Sequence, residues 1–259
     1  MPVFHRENVK YGGNTACVRL DVGGRMIVID GGSGLTGLQA DLQAAINAGE
    51  ALTFDILLSH LHLDHIIGFS SFDPLFNAAN DMRIFTKSRD ARPLGDQVFG
   101  VFKPPYWPVD YAALSKAAPV EIMPGEPFLI DSHITVTPFL VPHADDTTGF
   151  RIESAGKTVV YLMDCEIDET ISPSDDIVRY AKGADVIIFD CAFFPEDYIK
   201  GWGHSTYQVA QRLLALTGCG KIIMAHIGQA YSDEMMDGLK GRIADDRLIV
   251  AYEGLEIEL

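Results

Sequence analysis

Short apolar and β-branched runs alternate with segments of helical period along most of the chain. Runs at 15–21 (TACVRLD), 25–30 (RMIVID), 54–58 (FDILL), 82–86 (MRIFT), 134–141 (ITVTPFLV), 148–153, 157–163 (KTVVYLM), 185–190 (DVIIFD), 221–225 (KIIMA) and 247–252 predict strands. Apolar positions at helical spacing predict helices over 35–48, 174–182, 205–217 and 232–243. Ser205 with Gln208 three residues on predicts a capping-box start for the third helix, and Gly218 its stop. The pairs 15–30 and 148–163 turn through Gly23-Gly24 and Gly156-Lys157, so antiparallel sheet is expected early in each half of the chain. Strand–helix alternation follows in both halves. The pattern predicts one mixed α/β domain over 1–259, with two sheets and two similar halves.

Residues 99–127 (FGVFKPPYWPVDYAAL…PVEIMPGEP) break the pattern with prolines and aromatics. Proline removes amide donors, so the stretch reads as an irregular surface excursion. Long loops are often lids or binding loops. A packed loop or a homodimer contact is the other reading.

Composition narrows the partners. The chain has 259 residues, 47% hydrophobic, with 20 Lys plus Arg against 36 Asp plus Glu and a net charge of −16. That balance disfavours long nucleic acid, whose binding needs clustered cations. A small anionic ligand is compatible with it, because a bound metal reverses the local field. No apolar run reaches the roughly 20 residues of a membrane span, and MPVFHRENVKYGGNT lacks a basic-then-apolar layout. Cys17, Cys165, Cys191 and Cys219 are far apart and form no C-x-x-C pair. They read as reduced, buried thiols of a cytoplasmic protein rather than a disulfide framework or thiolate zinc site.

The chemistry is concentrated in 54–65, FDILLSHLHLDH, where a buried-type strand gives way to His60, His62, Asp64 and His65. On extended backbone, side chains at i and i+2 point the same way, so His60 and His62 can grip one ion. Asp64 and His65, at the start of the next turn, can reach a second. Imidazole and carboxylate suit Zn²⁺, Mn²⁺ or Fe²⁺. Further ligands belong where other strands end: His143 follows ITVTPFLVP, Asp164 follows KTVVYLM and His226 follows KIIMA.

H-x-H-x-D-H at 60–65, with a later His, Asp and His, resembles the metallo-β-lactamase superfamily of metal-dependent hydrolases. The likeness runs from GGNT at 12–15 and VIDGGSG at 28–34 to the closing AYEGLEIEL. It implies a four-layer αββα sandwich with metals at one edge of the sheets. It also implies two divalent ions, with zinc first and Mn²⁺ or Fe²⁺ as alternatives. His60, His62 and His143 would hold the first ion, Asp64, His65 and His226 the second, and Asp164 would bridge them. Asp30 is similar to the family's carboxylate that orients a metal-bound histidine; satisfying turn amides before Gly31-Gly32 is its other role.

GWGHSTYQ at 201–208, followed by AHIGQAYSDE at 225–234, resembles the ribonuclease Z and cyclic phosphodiesterase branch of that superfamily. His204 just before Ser205 puts an imidazole beside helix amides, where a phosphate would meet both, and Ser205 itself is a candidate substrate contact. His204 is thus a candidate acid for a leaving oxygen, or a residue that only hydrogen-bonds the helix start. Asp190 either orients His204 or caps its strand. Tyr106 and Trp107 either stack on a base or pack in a core or interface.

The resulting expectation is a dinuclear phosphodiesterase acting on a small cyclic nucleotide or phosphoribosyl cyclic phosphate, with a metal-bridging hydroxide as nucleophile and Asp64 handling its proton. The sequence has no long basic arm like that with which ribonuclease Z holds tRNA. The alternatives are a ribonuclease Z-like RNA-processing nuclease, a thioester or lactone hydrolase, and a non-catalytic metal-stabilised binding protein.

Overall fold

Strands buried on both faces read as continuous apolar runs, and half-buried strands as alternating ones; both kinds occur in each of two units. The computed structural model describes residue 2 and residues 6–168 and 173–259. It divides into one unit of 14–123 with Pro2 and another of 6–13 with 124–259.

The first unit holds β1 (Val18–Val22), β2 (Arg25–Ile29), β3 (Thr53–Leu57), β4 (Asp81–Thr86) and β5 (Ala118–Glu121), in that order across one sheet. The β1–β2 pair is an antiparallel hairpin, and β2, β3, β4 and β5 run parallel. Its helices are α1 (Leu35–Ala48), α2 (Leu63–Ile66), α3 (Leu94–Val98) and α4 (Tyr111–Leu114). Its core joins Val28, Leu35, Phe54, Ile56 and Ile84 to Phe69, Phe99 and Phe102.

The second unit holds β6 (Phe128–Asp131), β7 (Ile134–Val141), β8 (Thr147–Ser154), β9 (Lys157–Leu162), β10 (Val186–Asp190), β11 (Lys221–Ala225) and β12 (Leu248–Val250). The sheet order is β12-β11-β10-β9-β8-β7-β6. Strands β6 to β9 form an antiparallel meander, and β9 to β12 run parallel. Helices α5 (Asp175–Ala181), α6 (Tyr207–Thr217) and α7 (Asp233–Arg242) connect the parallel strands. Val160, Leu162, Ile187, Phe189, Val209, Leu213 and Ile222 lie in its core.

Every predicted strand and helix has a counterpart, and both predicted hairpins form. Two expectations need correction. Helix α6 starts at Tyr207 with Thr206 as N-cap and no side-chain cap. Ser205 cannot close a capping box, because its hydroxyl donates to the Cys165 carbonyl at 2.6 Å and accepts from the Ile167 N–H at 2.8 Å. The stretch 99–127 is not an irregular surface excursion throughout, since Phe99, Phe102, Tyr111 and Ile122 are buried and 118–121 is β5. Its Pro119 is tolerated because β5 is the sheet's edge, where one side of the strand needs no donor. All four cysteines are free, and burial pushes the thiol pKa values of Cys165 and Cys191 well up. Among the described residues, no helix is long and apolar enough to cross a membrane.

Candidate active site

In the first unit the candidate residues follow the ends of two parallel strands. Asp30 comes directly after β2 and adopts a left-handed φ of 61°. This buried carboxylate collects three donors: the Ser59 N–H at 2.8 Å, the Ser59 hydroxyl at 2.9 Å and His65 Nδ1–H at 2.7 Å. Because the Ser59 proton points at Asp30, the Ser59 oxygen can only accept from His60 Nδ1–H, 3.0 Å away. Both imidazoles are thereby fixed as Nδ1–H tautomers that present Nε2 as the ligand atom. The rings of His62 and His65 stand 4.4 and 4.3 Å from that of His60. Asp64 and His65 lie on the one-turn helix α2, with Asp64 Oδ2 4.0 Å from His65 Nε2.

The Gly31-Gly32 pair allows this packing. A Cβ on Gly32 would lie 2.4 Å from the Asp64 carbonyl, and one on Gly31 2.4 Å from the Phe69 ring. Gly31 N–H also donates to the His65 carbonyl at 2.7 Å, anchoring α2 to the end of β2.

In the second unit the residues come from four strand ends. His143 follows β7, Asp164 follows β9, Asp190 closes β10 and His226 follows β11. Asp164 presents one oxygen to each of two histidines: Oδ1 lies 3.1 Å from His226 Nε2 and Oδ2 3.5 Å from His143 Nε2. His143 Nδ1–H donates to the Gly203 carbonyl at 2.8 Å, which again leaves Nε2 as the ligand atom. Asp164 and His226 have left-handed φ values of 48° and 60°. Such backbone in non-glycine residues costs of order 1–3 kcal/mol each and concentrates at functional sites.

His204 Nδ1–H donates to Asp190 Oδ2 at 2.7 Å, and its ring stacks on His226 with centroids 4.9 Å apart. One ligand-capable atom from each of Asp164, Asp190, His204 and His226 lies within 4.8 Å of the others. Burial pulls the His204 pKa down, but the Asp190 hydrogen bond and charge outweigh it, so the net shift is above the ordinary histidine range. Asp190 also accepts from the Cys165 and Ala192 amides. It therefore orients His204 and caps its strand at once.

These donor sets fit divalent metal ions. They are imidazole nitrogens and carboxylate oxygens, and His60, His65 and His143 each have Nδ1 committed to a protein acceptor, the support that metal-ligating histidines usually receive.

The remaining predicted contacts differ. Ser205 is buried, with its hydroxyl engaged as described above. Trp107 packs edge-on against Phe102 and Tyr111, whereas Tyr106 is 79% exposed. Two features had no sequence-level reading. Trp202 is 61% exposed, two residues before His204. Glu166 accepts from the Tyr198 hydroxyl and from the Gly201 and Gly203 amides at 2.9, 2.6 and 2.8 Å. Burial would raise the Glu166 pKa, but these donors hold it below the ordinary range. A carboxylate two residues past a candidate ligand was the only signal in the sequence.

A family model described as "Beta-lactamase superfamily domain" matches residues 25–227. "Probable metallo-hydrolase YhfI" of Bacillus subtilis is 24% identical over 172 residues, 66% of this chain and 65% of that protein. The chain thus spans just under two thirds of that relative's length in the alignment. "Ribonuclease Z" of Bradyrhizobium diazoefficiens is 22% identical over 92% of each chain. Among solved structures, human tRNase Z, short form, has a TM-score of 0.69 at 18% identity, covering 99% of this chain and 96% of that one. The metallo-beta-lactamase fold protein YhfI from Bacillus subtilis likewise has a TM-score of 0.69 at 18% identity, covering 95% of this chain and 92% of that one. At that identity the likeness shows the fold alone, which is the metallo-β-lactamase type expected from sequence.

Proposed function

The chain belongs to the beta-lactamase superfamily of metal-dependent hydrolases, and from that premise we propose that it cleaves a phosphodiester bond in a small substrate, a cyclic nucleotide or phosphoribosyl cyclic phosphate. The observation that carries this reading is the Asp190–His204 pair at 2.7 Å, a supported imidazole beside His226 but outside the proposed ligands.

In this reading His60, His62 and His143 would hold one divalent ion, Asp64, His65 and His226 would hold the second, and Asp164 would serve both. The two oxygens of Asp164, each facing a different histidine, support that role. Zinc suits these borderline nitrogen and oxygen donors. When bound, the ions supply Lewis-acid activation of the phosphate and make hydroxide available near neutral pH. Asp64 would take the proton that the attacking water gives up. His204, with Nδ1–H held by Asp190, donates a proton from Nε2 to the leaving oxygen.

The −16 charge favours a small diester over long RNA, since surface repulsion opposes a polyanion. An RNA substrate is the second reading, favoured by the ribonuclease Z relative.

His204→Ala tests the assignment. The variant keeps its metal, and kcat on a cyclic nucleotide falls by about 10²–10⁴-fold, the usual contribution of a general acid. The loss is smaller for bis(p-nitrophenyl) phosphate, whose leaving group hardly needs a proton. Unchanged kcat on both substrates would remove the ground for phosphodiester over thioester chemistry.

A further inference from the structure

Residues 165–167 grip residues 201–205 through two side chains, Ser205 and Glu166, that the proposed chemistry does not use. The Ser205 hydroxyl bridges the Cys165 carbonyl and the Ile167 amide. Between these, Glu166 takes the Gly201 N–H on Oε1 and the Gly203 N–H on Oε2, and Oε1 also accepts from the Tyr198 hydroxyl. The Glu166 amide itself donates at 2.7 Å to the carbonyl of Pro142, the residue before His143. Gly203 then closes the circuit, because its carbonyl is the acceptor for His143 Nδ1–H. The two peptide planes that meet at Gly203 thus point one way to Glu166 and the other to His143.

Gly203 has φ +86°, and a Cβ there would lie 2.0 Å from His143 Nδ1, so backbone and imidazole are in close contact with no slack. The peptide that offers its carbonyl to His143 also carries the backbone nitrogen of His204. A shift of this turn would therefore move the acceptor of one histidine and the Cα of the other together.

We propose that Glu166 is a positioning residue: its carboxylate fixes the 201–203 turn so that the Gly203 carbonyl holds His143 in its Nδ1–H tautomer and His204 stays in line with Asp190. The carboxylate is needed because it is acceptor-only. A glutamine in the same place offers one oxygen, and its NH₂ must oppose either the Gly203 amide or the Tyr198 and Gly201 donors. The catalytic part of the inference rests on the phosphodiester reading; the histidine geometry does not.

The test uses the full, metal-loaded chain and Glu166→Gln, with Tyr198→Phe as a milder variant that removes one donor. Lys200→Ala is the control, because it removes the Lys200–Asp168 ion pair on the outside of the same turn. The first readout is the hydrogen-bonded imidazole N–H proton signals of His143 and His204 by NMR, taken without substrate. In Glu166→Gln both shift or are lost to exchange, Tyr198→Phe gives smaller shifts, and Lys200→Ala leaves them in place. The second readout is kinetic. For Glu166→Gln, kcat falls about 10–100-fold, the scale of a lost supporting partner, while KM for bis(p-nitrophenyl) phosphate moves little.

Intact histidine signals in Glu166→Gln overturn the proposal, as does a folded, metal-loaded variant with wild-type kcat on a wild-type chain that hydrolyses the diester. If Glu166→Gln does not fold, unshifted signals in Tyr198→Phe overturn it instead. A wild-type chain inert to every phosphodiester defeats the phosphodiester reading alone, and the NMR result still decides whether Glu166 positions the histidines.

Discussion

The two units build the same device from opposite kinds of sequence. In the first, a buried carboxylate at a strand end, Asp30, takes the Nδ1–H of His65 at 2.7 Å. In the second, Asp190, also buried at a strand end, takes the Nδ1–H of His204 at 2.7 Å. The first unit draws its histidines from one stretch, 60–65, and anchors them with Asp30 and Ser59. The second collects its residues from four strand ends across 143–226, and holds them with backbone groups and Glu166. An aspartate–imidazole pair therefore does not by itself reveal its role. His65 sits among H-x-H-x-D-H, where a ligand is expected; His204 lies on a turn beside His226, and proton transfer is the role proposed for it.

The largest effect that would break this comparison is at Asp164. If its two oxygens serve both ions, Asp164→Ala should reduce metal content from about two ions per chain towards none. His62→Ala, which in the proposed set removes a ligand from one ion only, should cost about one ion by the same logic. Elemental analysis of the purified proteins measures both. Equal losses in the two variants would mean that Asp164 does not bridge.

Much of this was legible in the sequence because strand ends are marked by the apolar runs before them. Those runs put Asp30, His143, Asp164, Asp190 and His226 at the mouths of β2, β7, β9, β10 and β11. Hydrophobic alternation missed β5 and β6. The first carries a proline and is largely exposed, and both are short strands at sheet edges, where the pattern is weakest. The Ser205 capping box was misread because Ser-x-x-Gln reports only local potential. The hydroxyl had better partners in Cys165 and Ile167, about forty positions earlier. The sequence carries only a weak signal for Glu166, its place two residues past Asp164, for a related reason. Two of its three partners are backbone amides, and no side-chain pattern records where a backbone amide will point.

The next effect separates the two aspartates. Asp30→Asn should weaken metal affinity by about 10–100-fold, because the Nδ1–H that it accepts belongs to a proposed ligand. Asp190→Asn should leave metal affinity near wild type and lower kcat by no more than His204→Ala does, since the pair acts through that imidazole. Competition with a chelator reads the first, and steady-state kinetics at saturating metal the second. Were Asp190→Asn to strip metal as readily as Asp30→Asn, His204 would belong to the ligand set and its role as an acid would fall.

The smallest effect concerns stability, and it contrasts how glycine is used in the two units. Gly32 is required by close approach: a Cβ would meet the Asp64 carbonyl at 2.4 Å and the Ala16 carbonyl at 2.6 Å, and backbone cannot move aside cheaply. Gly201 is required by conformation, with φ +87° and open space within 4 Å of where a Cβ would sit. Gly32→Ala should therefore lose about 3 kcal/mol, the upper end of ordinary overpacking. Gly201→Ala should lose about 1 kcal/mol, the scale of holding an L-residue in left-handed backbone. Asparagine tolerates that backbone better than alanine does, so Gly201→Asn should cost less than Gly201→Ala, while Gly32→Asn should cost more than Gly32→Ala. Chemical denaturation of the four variants measures these differences. If asparagine ranked the same way relative to alanine at both positions, the distinction between a glycine needed for space and one needed for φ would not hold here.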